Sequence, residues 1–374
     1  MVTMEDVARL AGVSKMTVSN VVNNRDGVSD PVRERVLEAI HRSGYRVNVS
    51  ARTLRSGRTG VIGLAVPEIG LPYFGHLAAH VIGAARRRGF HVSIEQTGAA
   101  AAGEADAIAH SRTLHFDGLI LSAVALGRVD RQLADAGYPL VMLGEQDFGG
   151  RFDHVAMPNE EGTKAATAHL ADQGCRRIAL VTGSVLDDVN DLNGRNDLDA
   201  VDAVDEVNGQ NGQNDLNAVN TGNAGHGGNA VNMATRRYRG YRAALAERGL
   251  DVHPPLVFPL EDASMEAGRD AAHRLAGSGR AIDGVVAVTD TVALGVLRGL
   301  ADRGLRVPGD VRLIGFDDIP ESRFAVPSLS TVAPDHRWMA ERAVELLAQR
   351  IRSPLRPTGQ YVAPFELVIR ESTR

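Results

Sequence analysis

Side chains able to hydrogen-bond cluster between Lys15 and Asn23: Lys15, Thr17, Ser19, Asn20 and Asn23 alternate with Val18, Val21 and Val22 at helical spacing, and Met16 joins the polar set. A short, polar, basic face of this kind suits contacts with phosphates and base edges. Further on, VNVSARTLRSGRT (47–59) sets Arg52, Arg55 and Arg58 around one apolar residue, Leu54. Basic residues with a single apolar wedge suit the minor groove, where the wedge is pried between base steps. A second set stands after aliphatic runs: Tyr73 and Phe74 after VIGLAV, Asp290 after GVVAV, and Asp317 in GFDD after VRLIG. Open α/β sheets bind ligands at the carboxyl ends of their strands, so these four are candidate ligand contacts. Each also has a plainer reading: Asp290 as the cap of the helix that follows, Asp317 as structural, the two rings as core.

The elements that position the first set are three short helices. Thr3 and Asp6 form a capping signal for a first helix over about 4–11, with Val7, Ala8 and Leu10 apolar and Gly12 ending it. Ser14 caps a second over 15–23. Ser29-Asp30-Pro31 opens a third, whose Val32, Val36, Leu37 and Ile40 form a stripe that ends at Gly44. Helix, glycine-containing turn and polar second helix make a helix-turn-helix, whose second helix enters the major groove. Any three-helix mini-bundle would show the same spacing.

From Gly60 onward the chain alternates strands with amphipathic helices. VIGLAV (61–66), HVSIE (91–95), GLILS (118–122), LVML (140–143), RIALV (177–181), GVVAV (284–288) and VRLIG (311–315) read as strands, and stretches such as 73–89, 159–174 and 235–249 read as helices that end in Gly. Alternating βα units predict parallel sheets covered by helices, and more than 300 residues fit two facing lobes with a ligand cleft between them. Residues 186–232 interrupt this pattern. From Asn190 to Asn232 every third position is Asn, Asp or His, a period matching neither helix nor strand. With few large apolar residues, the segment reads as a disordered acidic insertion. Its GHGGNA (225–230) fits a dinucleotide fingerprint only formally, because no strand precedes it.

The 374 residues carry a net charge of −5, but unevenly: residues 1–59 hold ten Lys/Arg against six Asp/Glu, and 186–232 hold nine acids against Arg195. A basic head on a near-neutral body suggests a polyanion-binding module joined to something else. Cys175 is the single cysteine and no Cys/His cluster has zinc spacing, so neither a disulfide nor a structural metal is expected. Glu5 and Asp6 stand where a signal peptide would be basic and then apolar, and no apolar run reaches membrane-spanning length. The expectation is a cytoplasmic protein without cofactor.

MEDVARLAGVSKMTVSNVVN, VSDPVRERVLEAIHRSGYRVN and SARTL resemble the head and hinge of the LacI/GalR family of bacterial transcription repressors. VIGLAVPEIGLPYFGHL, FDGLILS, NEEGTKAATAHLADQGCRRIALVTG, RYRGYRAALAERGL, VTDTVALGVLRGLADRGLRVPGDVRLIGFDDIP and PSLSTV resemble the family's periplasmic-binding-protein-like core, in family order. Only 186–232 falls outside the resemblance. It implies an α/β chain with a helix-turn-helix head at 1–46, a hinge helix at 47–59 and a two-lobed core of parallel sheets at 60–374. Lobe one would hold about 60–158 and 290–322, and lobe two about 159–289 and 323–374.

The resemblance also implies roles. Lys15, Met16 and Asn20 fall on base-reading positions, Thr17 and Ser19 on phosphate contacts, Leu54 on the minor-groove leucine and Arg52 on its basic neighbour. Asn20 replaces a frequent arginine, and its geometry favours adenine over guanine. Arg237 falls on the effector-contacting arginine and Asp290 on the hydroxyl-binding aspartate, with Ser122, Glu145 and Asn159 as further effector positions. Arg, Asp and an aromatic wall suit a sugar, although Arg237 also reads as a solvated helix cation. The implied partners are a pseudo-palindromic operator, a small-molecule effector and a second copy of the chain. IRESTR at the end carries no heptad extension, so a dimer is expected. The effector could be a sugar inducer or, as runner-up, a nucleobase corepressor. A Rossmann-type enzyme is disfavoured because no credible phosphate fingerprint, nucleophile elbow or catalytic pair exists. A transport sugar-binding protein is disfavoured by the missing export signal.

Overall fold

Thr3 and Asp6 cap the first helix reciprocally: Thr3 Oγ1 accepts from the Asp6 backbone N–H, and the Asp6 carboxylate accepts from the Thr3 N–H and hydroxyl. These bonds hold the Asp6 carboxyl below the usual carboxylate range, the backbone N–H of Thr3 contributing most. The helix α1 (Met4–Ala11) stops at Gly12, whose φ of 63° is the left-handed conformation that glycine adopts without strain. Ser14 Oγ then accepts from the Thr17 N–H (3.1 Å) and starts α2 (Lys15–Val22). The third helix, α3 (Asp30–Ser43), follows Ser29 and ends at Gly44, again left-handed. Val7, Val18 and Val36 are fully buried at the centre of the head, with Ala8, Val21, Ala39 and Tyr45 around them. Leu10 and Leu37, read as core from the sequence, are instead about half exposed, and Ala39 and Tyr45 take the inner positions.

The computed structural model describes residues 2–22, 26–45, 58–126, 137–144, 148–183, 233–250 and 256–374. They divide into two units, residues 1–59 and 60–374. The second unit contains two six-stranded sheets. In lobe one, strands β1 (Val61–Val66), β2 (His91–Gln96), β3 (Gly118–Ser122), β4 (Leu140–Leu143) and β5 (Asp153–Ala156) form a parallel sheet in which β1 lies between β2 and β3. Its far edge is supplied by the late strand Gln360–Val362, parallel to β5. In lobe two, Ile178–Thr182, Val257–Pro259, Gly284–Ala287, Arg312–Phe316 and Ser330–Pro334 pair in parallel, and Phe365–Val368 adds an antiparallel edge.

This pairing corrects the lobe boundaries expected from the sequence. The helix Asp290–Asp302 and strand Arg312–Phe316 belong to lobe two, whereas the helix His336–Arg352 and strand Gln360–Val362 belong to lobe one. The reason is that the chain crosses between lobes three times, at 157–158, near 335 and at 363–364. The crossings are laced together: Ala363 N–H donates to the Ala156 carbonyl (2.9 Å), and Asp335 N–H to the Pro364 carbonyl (2.9 Å). At the outer edge of lobe one, the fully buried Asp153 carboxylate pairs with Arg350 (2.9 Å) and Arg356 (3.0 Å) and accepts from the Gly359 N–H, fixing the returning strand against β5. Among the described residues no helix is long and apolar enough to cross a membrane.

Candidate effector site and nucleic-acid interface

On the head, α2 turns Val18 and Val21 inward and leaves Lys15 and Met16 outermost, Met16 at 68% exposure. Thr17, Ser19 and Asn20 lie half-buried along the same side. Lys15 Nζ stands 3.3 Å from Glu5 on α1; both side chains are well exposed, so water screens the pair and leaves the ammonium available to a stronger anion. Thr17 Oγ1 shares a 2.9 Å hydrogen bond with Ser14 Oγ, which fixes the first turn of α2. The face of α2 thus carries donors, an exposed thioether and a cation within two turns. Arg52 and Leu54 of the hinge lie outside the described residues.

In the second unit, the helix Asn159–Asp172 begins directly after the first crossing and places Asn159, almost wholly buried, beside Arg237 of the helix Met233–Glu247. Arg237 Nε donates to Asn159 Oδ1 at 2.8 Å, and the guanidinium lies 3.6 Å from the centroid of the Phe316 ring. A cation stacked this closely on a buried ring gains quadrupole attraction in a medium that screens little. Gly162 permits the packing, since a Cβ there would meet the Phe316 ring at 2.9 Å.

Tyr73 and Phe74 open the helix Pro72–Arg87 after β1 and pack edge to face, 4.9 Å between centroids. Both lie against the buried cluster that includes Met157 and Phe316, and the Tyr73 hydroxyl reaches Met157 Sδ at 3.7 Å. Ser122 is buried at the end of β3. The backbone after it is held by Glu104, whose fully buried carboxylate accepts from the N–H groups of Val124, Ala125 and Leu126 at 2.7–3.0 Å. Glu145 lies outside the described residues.

Asp290 occupies the first turn of the helix Asp290–Asp302, but the cap is Thr289, whose side chain accepts from Val292 N–H. Asp290 itself has no accessible surface. Its oxygens accept from Thr331 Oγ1 (2.7 Å), Ser322 Oγ (2.7 Å) and the Ile319 N–H (3.1 Å), so it clasps the turn Pro320–Arg323 and the strand Ser330–Pro334 to the helix. Burial pushes its carboxyl up to about 6, against the lowering effect of these bonds. Asp317 follows strand Arg312–Phe316 at a φ of 118°, and it is nearly buried. It lines a cavity of 470 Å³ with His76, His80, Arg323 and His336.

Asn159, Arg237 and Phe316 therefore meet directly, Tyr73 touches Phe74 and Met157, and Asp290 lies among a different set of residues. Sequence reasoning missed Phe316, Ser322, Thr331 and His336. His336 is buried against Tyr73 and His76, ring centroids 5.4 and 5.5 Å apart, and burial, reinforced by the charges of His76 and His80, drives its pKa down to about 4. No sequence pattern marks these residues, because each is an ordinary core type brought in from a distant segment.

This two-unit architecture recurs in known proteins. Residues 3–48 match the family of bacterial regulatory proteins, lacI family, and residues 217–373 match the periplasmic binding protein-like domain. A solved LacI-family transcriptional regulator from Sanguibacter keddieii is 37% identical, covering 85% of this chain and 99% of its own, with a TM-score of 0.66. The transcriptional regulator CelR in complex with cellobiose is 28% identical over the full length of both chains, TM-score 0.65. The ribose operon repressor of Halalkalibacterium halodurans is 28% identical over all of this chain and 98% of its own. The chain belongs to the LacI family of ligand-responsive transcriptional repressors.

Proposed function

We propose that this chain is a dimeric, cytoplasmic repressor of carbohydrate-metabolism genes that binds a pseudo-palindromic operator and changes its grip when a sugar binds between the lobes. The observation that carries the sugar reading is the buried Arg237–Asn159 pair on the Phe316 ring, with Tyr73 and Phe74 packed against the same cluster. Paired hydrogen-bonding groups suit vicinal hydroxyls and aromatic rings suit the C–H faces of a pyranose. Ser122, held in place by the Glu104-tethered backbone, and Glu145 complete the polar set. Asp290 and Asp317 act from behind, Asp290 as the clasp that sets the ends of three lobe-two segments.

In the head, Lys15, Met16 and Asn20 read bases, Thr17 and Ser19 hold phosphates, and Arg52 and Leu54 enter the minor groove. Phosphate contacts dominate affinity, so binding falls steeply with salt. Lobe closure turns on the three laced crossings, and a ligand that favours one lobe arrangement shifts operator affinity. The chain turns nothing over; a bound sugar is released unmodified.

Selection of bound sites from random DNA by the full chain at fixed salt, followed by a panel of sugars and purines added to the selected site, tests this. The expected result is a two-fold symmetric site whose affinity shifts with a sugar and not with purines. Failure to select any symmetric site contradicts the reading, and a purine-only response replaces the sugar by a nucleobase.

A further inference from the structure

His76 and His80 lie one turn apart on the helix Pro72–Arg87, and their Nε2 atoms stand 3.2 Å from one another. A hydrogen bond accounts for that distance when one ring is protonated at Nε2. The same distance is also a chelate bite: two nitrogens each about 2.0–2.1 Å from a tetrahedral zinc ion lie about 3.3 Å apart. Two histidines fall short of the Cys/His cluster that a structural metal requires, but at i and i+4 they share a helix face, as zinc-binding helices present two imidazoles to one ion.

The surroundings favour a cation. Both rings line the 470 Å³ cavity, which gives an ion room to keep water ligands. Four carboxylates, Asp317, Asp318, Asp335 and Glu366, face that cavity against two guanidinium groups, Arg323 and Arg337. Asp318 is already paired with Arg323 (3.2 Å) and with Arg370, and Arg337 with Glu341 (3.1 Å), which leaves Asp317, Asp335 and Glu366 as the acidic lining. The remaining balance is negative, which raises the local concentration of cations.

We propose that His76 and His80 form a two-histidine site for a divalent transition-metal ion of the copper, zinc or cobalt class, with cavity water filling the other positions. Among the described residues no group of three or more His, Cys, Asp or Glu stands ready to hold a metal, so the pair supplies two ligands and the ion stays exchangeable. Carboxylates across the cavity hold the bound waters. The ordinary affinity order puts Cu²⁺ above Zn²⁺ and Co²⁺ at such a site. The proposal is independent of the effector's identity.

The test is titration of the full chain, prepared without a histidine tag, with Cu²⁺ followed by electron paramagnetic resonance and with Co²⁺ followed by visible absorbance. One equivalent of Cu²⁺ with coupling to two imidazole nitrogens is expected. His76→Ala and His80→Ala each weaken binding about tenfold or more, and acidification to pH 5 releases the ion. His110→Ala, on a separate helix, leaves binding unchanged. If a variant fails to fold, line broadening in the unsubstituted chain decides: substoichiometric Cu²⁺ broadens the ring signals of His76 and His80 first. No binding, binding untouched by both variants, or first broadening at other histidines overturns the proposal.

Discussion

Arg237 donates through Nε to Asn159 Oδ1 at 2.8 Å while its guanidinium rests on the Phe316 ring, and neither polar side chain meets solvent. The bond joins two polar side chains in a place that water scarcely reaches. Asn159→Ala removes the acceptor and leaves a buried charge one bond short, a loss of about 1–3 kcal/mol that urea unfolding measures. Arg237→Met puts an apolar chain against Phe316 in place of the guanidinium and is expected to abolish the thermal shift given by the proposed sugar effector.

The Asp290 clasp predicts two outcomes. A Cβ on Gly315 would lie 2.1 Å from Asp290 Oδ1, so Gly315→Ala pushes the clasp apart and costs about 1–3 kcal/mol by overpacking alone. The folded-state carboxyl, raised to about 6 from 3.8, gives a stability contribution that is complete below about pH 4 and is lost as pH rises through about 6. Asp290→Asn removes that dependence. Relative to the unsubstituted chain, it therefore gains about 3 kcal/mol between pH 4 and pH 7, read from chemical unfolding at each pH.

His336 has the opposite sign. Its pKa falls from 6.5 to about 4 on folding, so its contribution is complete above 6.5 and disappears as pH falls through about 4. His336→Phe keeps a ring against Tyr73 and cannot be protonated. The variant resists acid better, by about 3 kcal/mol of relative stability across that window, in the same unfolding series. Between pH 4 and 6 the two groups offset each other, so only the single variants expose either slope.

Strands with long aliphatic runs, such as VIGLAV and GLILS, were legible because both faces of a covered parallel sheet are apolar, and the glycines at 89, 174 and 249 marked helix ends through their left-handed backbone. Asp153–Ala156, Val257–Pro259, Ser330–Pro334, Gln360–Val362 and Phe365–Val368 were not legible. They are three to five residues long, several are edge strands, and edge strands need little apolar patterning. The lobe assignment failed at 290–322 and at 336–362, while 330–334 and 365–368 fall in lobe two as expected, because crossings are a property of strand pairing, which local sequence does not encode. In the site, Arg237 and Asn159 were recognisable from the family resemblance. Phe316 and His336 were not, because a ring beneath a cation and a histidine in a core look like any other aromatic or helical residue until the chain folds.

On the head, Asn20→Ala is expected to weaken binding to the selected operator by about 1–3 kcal/mol and to relax selectivity at one base pair, since a lost base contact costs at that pair alone. Ser19→Ala weakens all sequences alike. Fluorescence anisotropy against single-base operator variants separates the two patterns.

The most direct measurement is the affinity of the proposed sugar effector for the full chain, taken by calorimetry with and without saturating operator. Because the two equilibria are linked, the sugar's dissociation constant must change by the same factor as the operator's does when sugar is added. Equal factors are the predicted result. A sugar that binds identically in the presence and absence of operator would contradict a core that senses on behalf of the head.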